Sequence, residues 1–100
     1  MVVQGILSYM VTKMRIILFG YTSAAASIMD IVARTGNEII ALVLPSNRKG
    51  PEIDIAREAA RRRKIEFLFQ PPNPPAEDFI VKLQSFKPDL GIVFSYSQIL

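Results

Sequence analysis

The sequence has 100 residues, which suits one small domain, and half of it is hydrophobic, so it can form a core and is not intrinsically disordered. It has no cysteine and no histidine, which excludes disulfides and thiolate metal sites and removes the commonest general base. The net charge is +3, and residues 48–64 alone, with seven basic and three acidic residues, carry +4. We interpret this segment as a solvated helix face; attraction of a polyanion is the alternative.

The first 13 residues are mildly apolar and contain no cation before Lys13, so they lack the charged start of a secretory signal. They are also too short to cross a membrane. We expect them to form a loose leader ahead of a domain over residues 14–100. A cytoplasmic location, with no membrane partner, is the default expectation.

The next stretch predicts a strand, a turn and a helix. Ile16–Phe19 is continuously apolar and predicts a strand buried on both faces, because a strand with one wet face would alternate. Gly20 ends the strand, and Thr22 or Ser23 can cap the following helix. The buried side of that helix is predicted from the apolar spacing to be Ala25, Ile28, Met29, Val32 and Ala33. Gly36 stands where a C-cap glycine belongs.

Ile39–Leu44 predicts a second buried strand, and residues 45–51, with two prolines and a glycine, predict a loop. In the second helix Glu58 and Arg62 are spaced to pair on the outer face. The inner side of that helix is predicted to be Ile55, Ala56, Ala59 and Ala60.

Ile65–Phe69 predicts the third strand. Asn73 can cap a third helix with Pro74 at its first position, and Lys87-Pro88 ends that helix. Its inner face is predicted to be Phe79, Leu83 and Phe86. Leu90–Phe94 predicts the fourth strand, and residues 95–100 leave it as a loop.

The order β-α-β-α-β-α-β predicts an α/β, Rossmann-like open parallel sheet with right-handed crossovers and helices on both faces. We expect the strand order 3-2-1-4, with the switch point between the first and fourth strands. Two loops, Gly20–Ser23 and Ser95–Leu100, should then meet at one crevice, where ligands bind in sheets of this kind.

Three common functions of such sheets are disfavoured. Of the dinucleotide fingerprint G-x-G-x-x-G only Gly20 is present, and Leu44-Pro45-Ser46 offers no acid for a ribose. A phosphate-accepting receiver domain needs carboxylates where the first and third strands end, and the sequence has Phe19-Gly20 and Phe69-Gln70 there. A Walker A phosphate loop is absent from the sequence.

The last segment carries a family resemblance. Phe86-Lys-Pro-Asp-Leu-Gly-Ile-Val-Phe-Ser-Tyr-Ser-Gln-Ile-Leu100 resembles folate-dependent formyltransferases, in which a Pro-Asp-Leu/Ile strand runs into a Tyr-Gly-Gln-Ile-Leu-like loop. The similarity extends from Met14 through the glycine turn, Gln70-Pro71 and Pro88-Asp-Leu90. Within this family the methionyl-tRNA formyltransferases are most similar.

The resemblance implies a formyl donor, 10-formyltetrahydrofolate, whose pterin hydrogen-bonds to the loop after the fourth strand. The donor-binding residues it implies here are Tyr96, Ser97, Gln98, Ile99 and Leu100. An irregular loop has unpaired N–H and C=O groups that a flat amino-pyrimidinone edge can satisfy. Alternatively, Ile99 and Leu100 simply begin the next core element.

The resemblance also implies an acceptor side, built from Gly20, Tyr21, Thr22 and Ser23. Arg48 and Lys49 lie where the methionyl-tRNA enzymes engage the acceptor stem, so tRNA is the expected partner through these residues and the basic helix, with salt-sensitive affinity. Tyr21-Thr-Ser reproduces neither the phosphate loop of members that act on ribosides nor the Gly-Thr-Pro of the methionyl-tRNA enzymes. The acceptor amine, on methionyl-tRNA or on a sugar or ribonucleotide, therefore stays open.

Catalysis in the family depends on an Asn-x-His pair and a later Asp. No histidine occurs here, so we assign no catalytic and no metal-binding residue and expect residues 14–100 to be the front portion of a catalytic domain, truncated before those groups and inactive alone. The apolar fourth strand should then be a bare edge that drives self-association. The alternative is a non-catalytic or nucleotide-binding Rossmann-like module.

Overall fold

Four strands alternate with three helices in the computed structural model, which describes residues 13–72 and 77–94. The elements are β1 (Arg15–Phe19), α1 (Ala24–Arg34), β2 (Glu38–Pro45), α2 (Pro51–Arg62), β3 (Glu66–Gln70), α3 (Glu77–Ser85) and β4 (Leu90–Val93). The predicted element order is confirmed. The proposed leader up to Thr12, the cap at Asn73 with Pro74, and the loop over 95–100 lie outside the described residues.

The strands form one parallel sheet in the order β3-β2-β1-β4, as predicted. β1 and β2 occupy the centre, and the register between them shifts once, between Ile16 and Ile17. Leu18 and Leu42 are partners in that register and are completely buried. Continuous apolar runs are typical of strands covered on both faces, which explains why both central strands were recognisable.

Helices cover both faces of the sheet, again as predicted. On one face α1 and α2 pack against Ile16, Leu18, Leu42 and Leu44. On the other face α3 packs against Ile17, Ala41 and Val43, using the predicted residues Phe79, Leu83 and Phe86. This second face has a single helix among the described residues, so side chains of α3 and β4 remain partly exposed.

Helix α1 differs from the prediction on its buried side. Ala25, Met29 and Val32 are buried and Ile28 packs against them, but Ala33 is exposed, because the helix turns it away from the sheet. Ser23 is the N-cap residue but makes no side-chain capping bond. The hydroxyl of Thr22 instead accepts from the backbone N–H of Ala24 at 3.3 Å. Gly36 has φ 82°, the left-handed conformation expected just after a helix.

Helix α2 begins earlier than its composition indicated. Pro51 is the first helical residue, a position where its missing N–H costs nothing. Gly50 precedes it with φ 125°, a conformation that side chains disfavour. The buried stripe is Ile53, Ala56, Ala59 and Ala60. The prediction that Ile55 faces inward is therefore wrong, and Ile55 is 46% exposed.

The outer face of α2 also pairs differently. Arg61, and not Arg62, bonds Glu58, with Nη2 donating to Oε2 at 2.6 Å and Nε donating to the same oxygen at 3.0 Å. The pair is one turn apart, which is as favourable for contact as the predicted spacing. Arg62 lies instead beside the groove between α1 and α2, with Ala26 and Asp30.

Candidate functional site

The turn after β1 and the end of β4 meet at the carboxyl edge of the sheet. The N–H of Phe94 donates to the carbonyl of Phe19 at 2.9 Å, and the N–H of Gly20 donates to Val43 at 3.2 Å. A Cβ at Gly20 would lie 3.1 Å from the carbonyl oxygen of Phe94. This distance is tighter than nearly all real Cβ contacts, so a side chain at Gly20 would push the two segments apart.

Phe94 is the residue before the loop expected to bind the donor. The five predicted donor-binding residues, Tyr96–Leu100, lie outside the described part of the chain. Phe94 itself lies beside Gly20, and the roles of the loop residues stay predictions.

The predicted acceptor residues Gly20–Ser23 form the turn that begins α1. The carbonyl of Thr22 accepts from Ala25 at 2.9 Å, and that of Ser23 accepts from Ala26 at 3.1 Å, so the chain becomes helical directly after the turn. Tyr21 is partly buried and packs on the core below α1 and α2. The hydroxyls and backbone at this edge are polar groups suited to orienting a substrate.

The loop after β2 folds over the loop after β1. The guanidinium carbon of Arg48 lies 5.8 Å from the centre of the Tyr21 ring, which is within cation–π range. Two groups of predicted acceptor residues, far apart in sequence, are thus brought together. Lys49 is exposed next to Arg48 in the same loop.

Sequence reasoning gave Gln70 no functional or packing role beyond its place in the family motif. It ends β3 at the same edge of the sheet, opposite Pro45, and is only 4% exposed. A polar residue at the end of an apolar strand is a signal that could have identified Gln70 as a candidate site residue. A second unassigned group, formed by Arg57, Phe67 and Phe69, lies between α2 and β3.

Residues 13–72 and 77–94 provide neither a metal site nor a membrane-spanning helix. No three metal-ligating side chains lie close enough together there to hold an ion. None of the three helices is both long and apolar enough to cross a membrane.

The fold and this edge define an α/β protein with an open parallel sheet whose ligand site is expected at the carboxyl ends of β1 and β4. Its sequence matches no protein-family model and no curated protein. The architecture is shared by proteins of many functions, so the function has to be argued from the site.

Proposed function

We propose that the chain is the donor-binding, N-terminal part of a 10-formyltetrahydrofolate-dependent formyltransferase that acts on an amine. One observation carries the proposal: the Gly20 turn and the end of β4 lie in contact, with Phe94 bonded to Phe19 at 2.9 Å. Phe94, which precedes the loop proposed to bind the donor, therefore lies beside the turn that would face the acceptor.

On the donor side, Tyr96–Leu100 would hold the pterin of 10-formyltetrahydrofolate through backbone N–H and C=O groups. The close approach of Gly20 to the carbonyl of Phe94 supports this role, because it brings the residue before this loop next to the turn after β1. The bound folate would supply the formyl group. The side chains of Ile99 and Leu100 would form apolar walls.

On the acceptor side, the turn Gly20–Ser23 would border the reacting amine, and Arg48 and Lys49 would contact phosphates. Methionyl-tRNA is the acceptor we propose, since a basic loop after the second strand suits an acceptor stem. The contact between Arg48 and Tyr21 supports this role, because it holds a positive charge next to the turn. A sugar or ribonucleotide amine would use the same anion contact.

The reaction itself needs groups that this chain does not supply. It contains no histidine, and the family's Asn-x-His pair is therefore absent. The 100 residues would bind the donor and border the acceptor, while proton transfer would come from another part of the parent enzyme. We accordingly expect no formyl transfer by this chain alone.

Calorimetric titration with 5-formyltetrahydrofolate, a stable relative of the donor, tests the proposal. The matched variants are Ser97→Pro, which removes a backbone N–H, and Ser97→Ala, which keeps it. We expect saturable binding that weakens about tenfold in Ser97→Pro, the cost of one lost hydrogen bond, and is unchanged in Ser97→Ala.

Circular dichroism of both variants shows whether the fold is retained. Absence of saturable folate binding in the folded chain, or equal affinity of the two variants, contradicts the proposal. Binding of ATP or NAD without folate binding would instead favour the nucleotide-binding module.

A further inference from the structure

A second candidate surface lies at the β3 edge of the sheet, where an arginine covers two phenylalanines. The guanidinium carbon of Arg57 is 5.2 Å from the ring centre of Phe67 and 5.9 Å from that of Phe69. The two rings are 6.3 Å apart and nearly perpendicular. We call this group, Arg57 with Phe67 and Phe69, the β3 aromatic surface.

The register of the sheet produces this arrangement. Phe67 and Phe69 are partners of Leu42 and Leu44, so both rings stand on the face that α1 and α2 cover. Small alanines on the inner side of α2 let the helix approach the sheet closely. Arg57, one residue beyond buried Ala56, is then placed to reach over both rings.

The surface is accessible because β3 has a neighbouring strand on one side only among the described residues. Phe69 is 46% exposed, and the side chain of Arg57 is 45% exposed although it contacts both rings. An accessible guanidinium held on aromatic rings offers a flat, positively charged platform. Nucleobases stack on such platforms, on aromatic rings and on arginine planes alike.

A shallow recess adjoins the Phe67 ring and is lined by Asp54, Arg57, Glu58, Arg61 and Phe67. Its volume is about 290 Å³, at the lower limit of about 300–1,000 Å³ that holds drug-sized ligands, so it suits a single base. Within it the charges balance, since Arg57 lies 3.9 Å from Asp54 and Arg61 bonds Glu58. Both pairs are exposed, and exposed pairs are easily exchanged for other partners.

The positive charge lies around the recess. Residues 48–64, which include α2, carry +4 in total. Arg63 pairs with Asp30 of α1, and Arg48 lies over the Tyr21 ring. The net positive charge of this segment would attract the phosphates of a nucleic acid.

We propose that the β3 aromatic surface binds single-stranded nucleic acid, with a base on Arg57 and Phe69 and the phosphates along α2. This activity goes beyond formyl transfer, because it needs neither folate nor an acceptor amine. Its three residues differ from those at Gly20 and Phe94, and only the basic segment 48–64 is shared with the proposed acceptor contacts. A double helix is a poorer fit, because its bases are already stacked and cannot reach a protein ring.

Fluorescence anisotropy with end-labelled oligonucleotides of twelve nucleotides tests the proposal with the full chain. One arm uses single-stranded RNA, a second uses DNA of the same sequence, and a third uses the DNA duplex. We expect both single strands to bind more tightly than the duplex and to weaken as salt is raised.

Four variants locate the binding site. Phe69→Ala should weaken single-strand binding at least fivefold, the lower range of what loss of one stacked base costs. Phe69→Tyr keeps a ring and should bind like the unaltered protein, whereas Arg57→Lys keeps the charge without the plane and should bind more weakly. Ile55→Ala is the matched control, because Ile55 is also 46% exposed but lies outside the surface.

Three results would overturn the proposal: no binding of either single strand, a duplex that binds as tightly, or an unchanged affinity of Phe69→Ala. Thermal unfolding of each variant separates lost binding from lost fold. Folate titration of Phe69→Ala, which should be normal, keeps this test independent of the formyltransferase proposal.

Discussion

Asp89 and Arg15 are joined by two hydrogen bonds at the amino edge of the sheet. The N–H of Arg15 donates to Oδ2 of Asp89 at 2.8 Å, and the N–H of Asp89 donates to the carbonyl of Arg15 at 2.7 Å. The guanidinium of Arg15 also donates to the carbonyls of Phe86, at 2.6 Å from Nη2, and Lys87, at 3.2 Å from Nε. One pair thus ties the end of α3 and the start of β4 to β1.

This pair lies at the opposite end of the strands from the candidate site, yet it affects that site. The register of β4 on β1 begins next to Asp89, with Leu90 opposite Ile16, and runs on to Val93 opposite Phe19. A change in that register would shift Phe94 away from Gly20. Asp89, which belongs to the formyltransferase-like motif, therefore has a structural role here.

Replacing Asp89 tests that role. We expect Asp89→Ala to lower the free energy of unfolding by about 1–2 kcal/mol, because the N–H of Arg15 loses a charged acceptor in an exposed position. Asp89→Asn keeps an acceptor oxygen and should lose less than half as much. Urea unfolding followed by circular dichroism measures both, and equal stability of Asp89→Ala and the unaltered protein would contradict the assignment.

The buried side of α1 gives a second prediction. Met29 is 1% exposed at the centre of the core between the sheet and both helices. Met29→Ala should lower the free energy of unfolding by about 2–5 kcal/mol, since it removes buried apolar contacts and leaves a cavity. Ile31→Ala, on the same helix but 58% exposed, should change stability by less than about 0.5 kcal/mol. Similar losses in the two variants would contradict the described orientation of α1.

The general fold was predictable because strong local signals agree with one another. The apolar runs of β1 and β2, the glycine at Gly20 and the alternation of strands with helices allow few sheet topologies. The orientation of α2 was less predictable. Ile53 and Ile55 are both spaced so that either could share a helix face with the alanines. Which of the two is buried is determined by how α2, which begins at Pro51, packs on the sheet.

The contacts of the candidate site were not predictable in the same way. Arg48 and Tyr21 belong to two loops, and the approach of one loop to the other depends on backbone conformation that no periodicity encodes. The sequence predicted Arg57 only as a surface cation. Its contact with Phe69 could not be foreseen, because Phe69 is exposed only as a result of β3 lying at the edge of the described sheet. The predicted strand order placed the ends of β1 and β4 side by side, and the tertiary packing determines which side chains meet there.

The contact between Arg48 and Tyr21 gives a third prediction, tested by a double-mutant cycle. Tyr21→Leu and Arg48→Met each remove one partner, and we expect a coupling free energy of about 0.5–1 kcal/mol, typical of exposed cation–π pairs. Tyr21→Phe keeps the ring and should keep the coupling. Additive effects of the first two substitutions would show that the two loops do not hold each other.

The fourth prediction concerns β4, which has a neighbour on one side only within the described residues. Its apolar side chains are widely exposed, with Leu90 at 44%, Val93 at 52% and the following Phe94 at 47%. An open strand edge with exposed apolar side chains favours pairing with another copy, so we expect this chain to self-associate. Sedimentation velocity over a range of concentrations measures that association.

Val93→Lys should reduce the association, because a charge on an edge strand opposes pairing with a second strand. Ile55→Lys is the matched control: it adds the same charge at a residue of similar exposure, 46%, on α2, far from β4 in the sheet order. If the unaltered chain sediments as a monomer at every concentration, β4 does not drive association. If both lysine variants dissociate equally, net charge and not the β4 edge controls the equilibrium, because only Val93 lies on that edge.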